Sequence, residues 1–286
     1  MISDITLGQF FPGFSLLHKL DPRTKLISAI LFIVAIFLAK TPLAFLLLTV
    51  FTVVMIFVSR ISFSVILRGI RPVIYILIFT SILNVFMTKG EGAPLVDFWI
   101  IEIYREGIVR AIFMTLRVIL LIVGSSVLLT YTTSPISLTD GLESLLSPLA
   151  KIRVPVHVFS MMMTIALRFI PTLVEETDKI MNAQKSRGAD FTSGSLIRRA
   201  KALIPLLVPL FVSAFKRAEE LAVAMECRCY RVDKKRTKLV KLTFRAKDIL
   251  SLLVFAAFLA GIILISRVSA PMLGGSLVAK IFCYRI

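Results

Sequence analysis

Two short stretches of this chain hold side chains suited to a strong, directional contact with another molecule. The first is Gln184-Lys185-Ser186-Arg187-Gly188-Ala189-Asp190, and the second is Ala224-Met225-Glu226-Cys227-Arg228-Cys229-Tyr230. Each sets one arginine between small residues at what reads as the C-terminal end of a long helix. A guanidinium is a rigid, permanently charged fork of donors, so such an end suits a partner's carboxylate or backbone carbonyls. The negative end of the helix dipole favours a cation there, and Gly188 is the residue type that most easily closes a helix in a left-handed cap. An ordinary cationic cap without a partner accounts for one such end. Duplication argues for more: at an offset of 41 residues Asp178 aligns with Glu219, Ile180 with Leu221, Ala183 with Ala224 and Arg187 with Arg228. One device is used twice, and the candidate contact set is Ser186, Arg187, Gly188, Cys227, Arg228 and Cys229.

Other chemistry is sparse. Cys227-x-Cys229 supplies half of a tetrahedral metal site, and Arg228 between the thiols opposes a cation, so no metal is assigned. His18 and His157 stand alone in the sequence and read as packing or surface residues. There is no Walker phosphate loop, so the chain is not expected to hydrolyse ATP, and no HExxH zinc motif. No catalytic residue and no cofactor are assigned. Of the three cysteines, two sit at one helix end, which does not make a disulfide framework.

The elements that position the two arginines belong to a membrane protein. The 286 residues are 57% hydrophobic and only 18% charged, with mean hydropathy +0.91, too apolar for a soluble domain. A formal charge of +17 then reads as a basic cytoplasmic face rather than a nucleic-acid surface. Residues 1–20 lack the pattern of a cleaved signal peptide. Asp21 caps a helix whose first position is Pro22, and His18, Lys19, Arg23 and Lys25 place the N-terminus in the cytoplasm. Spans are expected over Leu26–Ala39, Leu43–Val58, Val73–Met87, Ile108–Tyr131 and Ile249–Ser266, none of which holds an Asp or Glu. Arg60, Arg68 and Arg71 form a basic amphipathic piece at the inner surface, and 88–106 is a mildly acidic external loop. Arg110 and Arg117, near one face of the fourth span, are given no chemistry.

A short amphipathic helix, Leu138–Leu146, precedes the two long helices. These lie at the cytoplasmic face. Their apolar runs are short or broken by Arg168, Pro171, Pro205 and Pro209, and spans here would carry Lys185, Arg187, Arg198, Arg199 and Lys201 outside. The stretch from Val156 to Arg187 is about 48 Å long if unbroken, apolar in its first half and polar in its second. It suits a lever with one end in the membrane bundle and Arg187 in the cytoplasm. The second helix repeats the gradient. The basic run from Arg231 to Lys247 flanks the last span on the inside.

Five stretches in order resemble the transmembrane coupling component of energy-coupling factor (ECF) transporters, a branch of the ATP-binding-cassette importers. They are Leu20-Asp21-Pro22-Arg23-Thr24-Lys25-Leu26, Leu167-Arg168-Phe169-Ile170-Pro171-Thr172-Leu173, Ser186-Arg187-Gly188-Ala189-Asp190, Val208-Pro209-Leu210-Phe211-Val212-Ser213-Ala214-Phe215 and Ala224-Met225-Glu226-Cys227-Arg228-Cys229-Tyr230. The resemblance implies an all-α integral membrane protein with about five transmembrane helices plus amphipathic cytoplasmic coupling helices. It implies that Arg187 and Arg228 each dock in a groove of one of two ABC ATPase subunits. It implies too that the apolar parts of the helices seat a small membrane S component that captures a vitamin or similar micronutrient. The chain departs from the family pattern at Ser186, where alanine is usual, and at Cys227 and Cys229, where alanine and glycine are usual. Cys229 lacks glycine's freedom at positive φ.

The expected organisation is a membrane region over 1–131, a cytoplasmic coupling region over 132–246, and a last span with its tail over 247–286. The expected role is a non-catalytic subunit of the plasma membrane, in contact with two ATPases, an S component and lipid, and not with nucleic acid. The alternative from another class is a self-sufficient secondary carrier or channel, which the absence of carboxylates in the spans disfavours.

Overall fold

Side-chain caps start the first two helices of the chain. Asp21 N-caps α1 (Pro22–Leu38): its carboxylate accepts the Arg23 N–H at 2.9 Å, and Pro22 takes the first turn, where no N–H is needed. Thr41 does the same for α2 (Pro42–Ser59), accepting the Ala44 N–H at 3.3 Å. The computed structural model describes residues 13, 15–88, 96–98, 101–152, 154–189, 191, 195–231 and 243–272. After α2 come α3 (Phe63–Met87), a hairpin of β1 (Val96–Phe98) and β2 (Ile101–Ile103), and α4 (Arg105–Ser125), which runs on as a π-helical turn over Ser126–Thr130. Then follow α5 (Pro135–Leu146), a 3₁₀ turn (Ser147–Ile152), α6 (Val156–Ser186), α7 (Leu196–Cys227) and α8 (Ala246–Met272).

The protein is an all-α membrane protein, and the hairpin is a small addition to it. β1 and β2 pair antiparallel with Asp97 opposite Glu102, in a segment expected as a plain loop. The basic piece and third span expected as separate form one helix, α3, which continues through Pro72. Among the described residues, five helical stretches are long and apolar enough to cross a membrane: Pro42–Ser59, Phe63–Met87, Arg105–Thr130, Val156–Ser186 and Ala246–Val268. The number matches the expectation but the membership does not. At 17 residues α1 is shorter than these five, and α6 qualifies because the helix runs on unbroken through Arg168 and Pro171. Of the basic run after α7, Lys234, Lys235, Arg236, Lys238 and Lys241 lie outside the described residues, as do Asp190 and Cys283.

The chain divides into two compact units. One, within 9–141 and 242–286, carries α1 to α4, the first part of α5 and α8; the other, within 142–241, carries the rest of α5, α6 and α7. In the first, α1 packs against α8 and α4, and α3 against α4. Its core holds Phe32, Ile36, Phe45, Leu48, Val127, Leu128 and Ile262, all nearly inaccessible. The ring of Phe51 stacks on Phe258 at 3.8 Å and meets the edge of Phe255 at 5.3 Å, joining α2 to α8. Gly124 leaves the space that the Phe32 ring fills; any side chain there would collide with it.

Polar side chains in this unit are tied to backbone ends. Arg117 donates to the Ala39 carbonyl at 2.9 Å and lies 5.4 Å from the Phe45 ring centroid. Ser266 donates to the Leu38 carbonyl at 3.3 Å. Together they satisfy carbonyls at the end of α1, which have no helical partner and no bulk water in an apolar surround. That gives Arg117 a structural role that its sequence position left open. At the opposite end of α1, the Lys25 ammonium, in the first turn, donates to the carbonyls of Thr132 (2.8 Å) and His18 (3.3 Å). Asp248 accepts the N–H groups of Asp21 and Arg245, both at 2.8 Å.

Candidate functional site

The ends of α6 and α7 close with the same set of backbone hydrogen bonds. At the first, the Gly188 N–H reaches the Lys185 carbonyl at 2.9 Å and the Ala189 N–H reaches that of Gln184 at 3.0 Å. At the second, Cys229 N–H reaches Glu226 at 2.8 Å and Tyr230 N–H reaches Met225 at 3.0 Å. This is the Schellman pattern twice, with Arg187 and Arg228 as the C-cap residues. The motif needs a left-handed residue after the cap, and both ends have one: Gly188 at φ 86° and Cys229 at φ 55°. Cys229 therefore takes the conformation that its side chain disfavours, and the second end keeps the geometry of the first.

All six residues of the candidate set, Ser186, Arg187, Gly188, Cys227, Arg228 and Cys229, are exposed. Among the described residues neither Arg187 nor Arg228 is in an ion pair. Each guanidinium thus projects from an ordered helix end with its donors open to a partner.

The two ends are not brought together. The helices that carry them cross, and the crossing joins positions equivalent under the 41-residue offset: Arg217 donates to Glu176 at 3.1 Å, and the guanidinium lies 5.7 Å from the Phe169 centroid. Leu173 and Ala214, also 41 apart, stand in both grooves beside the crossing. One groove, of about 250 Å³, combines Ile165 and Phe169 of α6 with Leu221 and Met225 of α7. The other, of about 580 Å³, combines Thr177 of α6 with Leu207, Val208 and Phe211 of α7. The early part of each helix thus faces the late part of the other, and the pair is antiparallel in sense. Each arginine lies 11 residues beyond the crossing, about 16 Å along its helix and on opposite sides.

Apolar side chains stay open along α7, several of them lining the larger groove as well. Ile204, Leu207, Val208, Phe211, Val212 and Phe215 are all more than half exposed, at a spacing that places them on one helical stripe. On α6, Phe159 and Met162 are similarly open.

Sequence reasoning missed several contacts. The Glu176–Arg217 pair obeys the same 41-residue offset as the arginines and carries opposite charges, so its signal was present. At the root of α6, Glu143 accepts the buried Ser160 hydroxyl at 2.8 Å and stands 3.1 Å from His157 Nδ1. His157 is therefore not alone, nor is His18, whose Nδ1 lies 2.6 Å from Ser15 Oγ. Nothing periodic in the sequence announces either contact.

Long apolar helices with exposed apolar faces, among them two packed helices that end in exposed arginines, define a multi-pass membrane protein. The profile of the CbiQ family, described as cobalt transport protein, matches residues 13–239. The chain is 50% identical over 268 residues to the energy-coupling factor transporter transmembrane protein EcfT of Clostridium kluyveri, covering 94% of this chain and 98% of that one. It is 52% identical over 268 residues to the protein of the same name from Ruminiclostridium cellulolyticum (94% and 99%), and 51% over 262 residues to that of Bacillus subtilis (91% and 98%). The chain belongs to this family and is a transmembrane component of an energy-coupling factor transporter.

Proposed function

We propose that the chain is the non-catalytic coupling subunit of an ATP-driven importer, and that Arg187 and Arg228 each dock into one of two ATP-binding-cassette ATPase subunits. The observation that carries this reading is the repetition of one capped helix end, hydrogen bond for hydrogen bond, with an exposed guanidinium each time. Equal arms on either side of one crossing suit two similar partners. A push on either tip turns its helix about the Glu176–Arg217 contact and reshapes the apolar grooves there. The exposed apolar stripe of α7, with Phe159 and Met162 of α6, is the seat for a small membrane S component that binds a vitamin or similar micronutrient. In this reading ATP hydrolysis belongs to the partners, the N-terminus and both arginine tips are cytoplasmic, and the apolar first half of α6 sits in the membrane. That placement accommodates the span-like composition of α6, because its last turns carry Lys179 and Lys185 toward Arg187.

Arg187→Glu together with Arg228→Glu tests the docking. The tagged double variant is expected to insert into membranes at the wild-type level and to lose co-purifying ATPase by about tenfold or more. Unchanged ATPase recovery from a well-inserted variant contradicts the docking role. Substrate flux by the purified chain alone in liposomes would instead support a self-sufficient carrier.

A further inference from the structure

The two helix ends share a backbone and differ in chemistry. Where the first sets Ser186 and Gly188 around its arginine, the second sets Cys227 and Cys229. Gly188 adopts positive φ freely, whereas Cys229 does so against its own Cβ, at a steric cost that glycine avoids. Both cysteines are exposed, so burial does not offset that cost. A disfavoured residue type at an exposed, geometrically demanding position points to the chemistry of its side chain.

We propose that Cys227 and Cys229 form a redox switch on the second helix end, in which their oxidation to an intramolecular disulfide opens the cap and withdraws Arg228 from docking. The inference rests on the docking role of Arg228 proposed above. The oxidant is a low-molecular-weight disulfide. The Cys227 thiolate attacks one of its sulfurs and releases one thiol. The Cys229 thiolate then attacks the Cys227 sulfur of the mixed disulfide and releases the second. Two protons and two electrons pass from the protein thiols to the external disulfide, which becomes two thiols. The first end, with a hydroxyl and a glycine, has no such reaction, so the switch acts on one ATPase site and spares the other.

Geometry makes the reaction consequential. A disulfide between Cys227 and Cys229 closes a small ring that includes the backbone of the cap residue Arg228, and it holds its Cβ atoms about 4 Å apart. In the proposed switch the torsions of that ring replace those of the capped end, at the expense of the bonds from Cys229 N–H to Glu226 and from Tyr230 N–H to Met225. The same bonds favour the reduced pair, which stays open in reducing surroundings and closes under oxidative challenge. Exchange takes place on the undocked tip and so competes with docking.

The test uses the tagged full chain in a Cys283→Ser background, treated with oxidised glutathione and then offered its ATPase subunits. Trypsin cuts after Arg228, so a closed disulfide keeps the two flanking peptides joined until reduction. The expected result is the joined peptide, about half as much ATPase captured because the Arg187 end still docks, recovery on reduction, and equal capture with and without oxidant when Cys227→Ser is added. A lasting glutathione adduct without the joined peptide, or full capture by the joined form, overturns the switch while leaving docking intact. Untreated Arg228→Glu is run alongside: full capture by that variant overturns the docking role and the switch with it.

Discussion

Gly188 and Cys229 occupy one backbone position at different steric cost, and the difference is measurable. Gly188→Ala adds a Cβ at φ 86° with open space around it, so the penalty is conformational and amounts to about 1 kcal/mol. Cys229→Gly removes a penalty of the same order. Because these caps are local, the change appears in the two amides that close them, those of Ala189 and Tyr230. Hydrogen exchange is expected to quicken about fivefold at Ala189 in Gly188→Ala and to slow at Tyr230 in Cys229→Gly. Unaltered exchange at both would mean that the left-handed residue does not control the order of these ends. The arginines and their 41-residue repeat were legible in the sequence because capping is a local matter of residue type. The left-handed state of Cys229 was not, since its residue type argues against the conformation that the helix end requires.

At the scale of elements, the crossing of α6 and α7 depends on one charged contact set among apolar side chains. Arg217 and Glu176 are each about a quarter exposed, and Arg217 Nη1 is buried without a hydrogen bond among the described residues. Removing Glu176 leaves that guanidinium half-desolvated with no carboxylate, whereas Glu176→Gln keeps an acceptor. Glu176→Ala is expected to lower the thermal stability of the purified chain by about 1 kcal/mol, Glu176→Gln by less, and the cycle with Arg217→Ala to show coupling of similar size. Additive single effects would show that apolar packing alone sets the crossing. The existence of the long helices was readable from composition and spacing. The structure carries both helices through Pro171, Pro205 and Pro209, residues that remove helical hydrogen bonds and suggest bends. Local propensity yields there to packing along each helix. The Glu143 contact with His157 and Ser160 was illegible for another reason, because a turn of irregular backbone separates the partners and erases any periodic signal.

At the scale of the whole molecule, an apolar chain must still anchor the polar ends of its helices, and the membrane unit does so with a buried charged cluster. Lys25, Asp21 and Asp248 are each less than a tenth exposed, and the two carboxylates act on the ammonium electrostatically. Asp248 also accepts two backbone N–H groups, one before α1 and one before α8, so it fixes the starts of two helices that pack together. Half of this arrangement was visible beforehand in the Asp21-Pro22 cap. The rest joins residues 227 positions apart and has no sequence signature. Breaking such a cluster costs more than removing it, because one deletion strands a desolvated charge. Asp248→Ala is therefore expected to destabilise the chain by about 3 kcal/mol, through two orphaned N–H groups and a poorly compensated Lys25. Adding Lys25→Met to Asp248→Ala should restore part of that loss, although Lys25→Met alone is also destabilising. Thermal unfolding of the four chains in one detergent, followed by loss of the monodisperse species, supplies the comparison. If the double variant is as unstable as the sum of the singles, the cluster is a set of independent hydrogen bonds, and its charges do not hold the helix starts together.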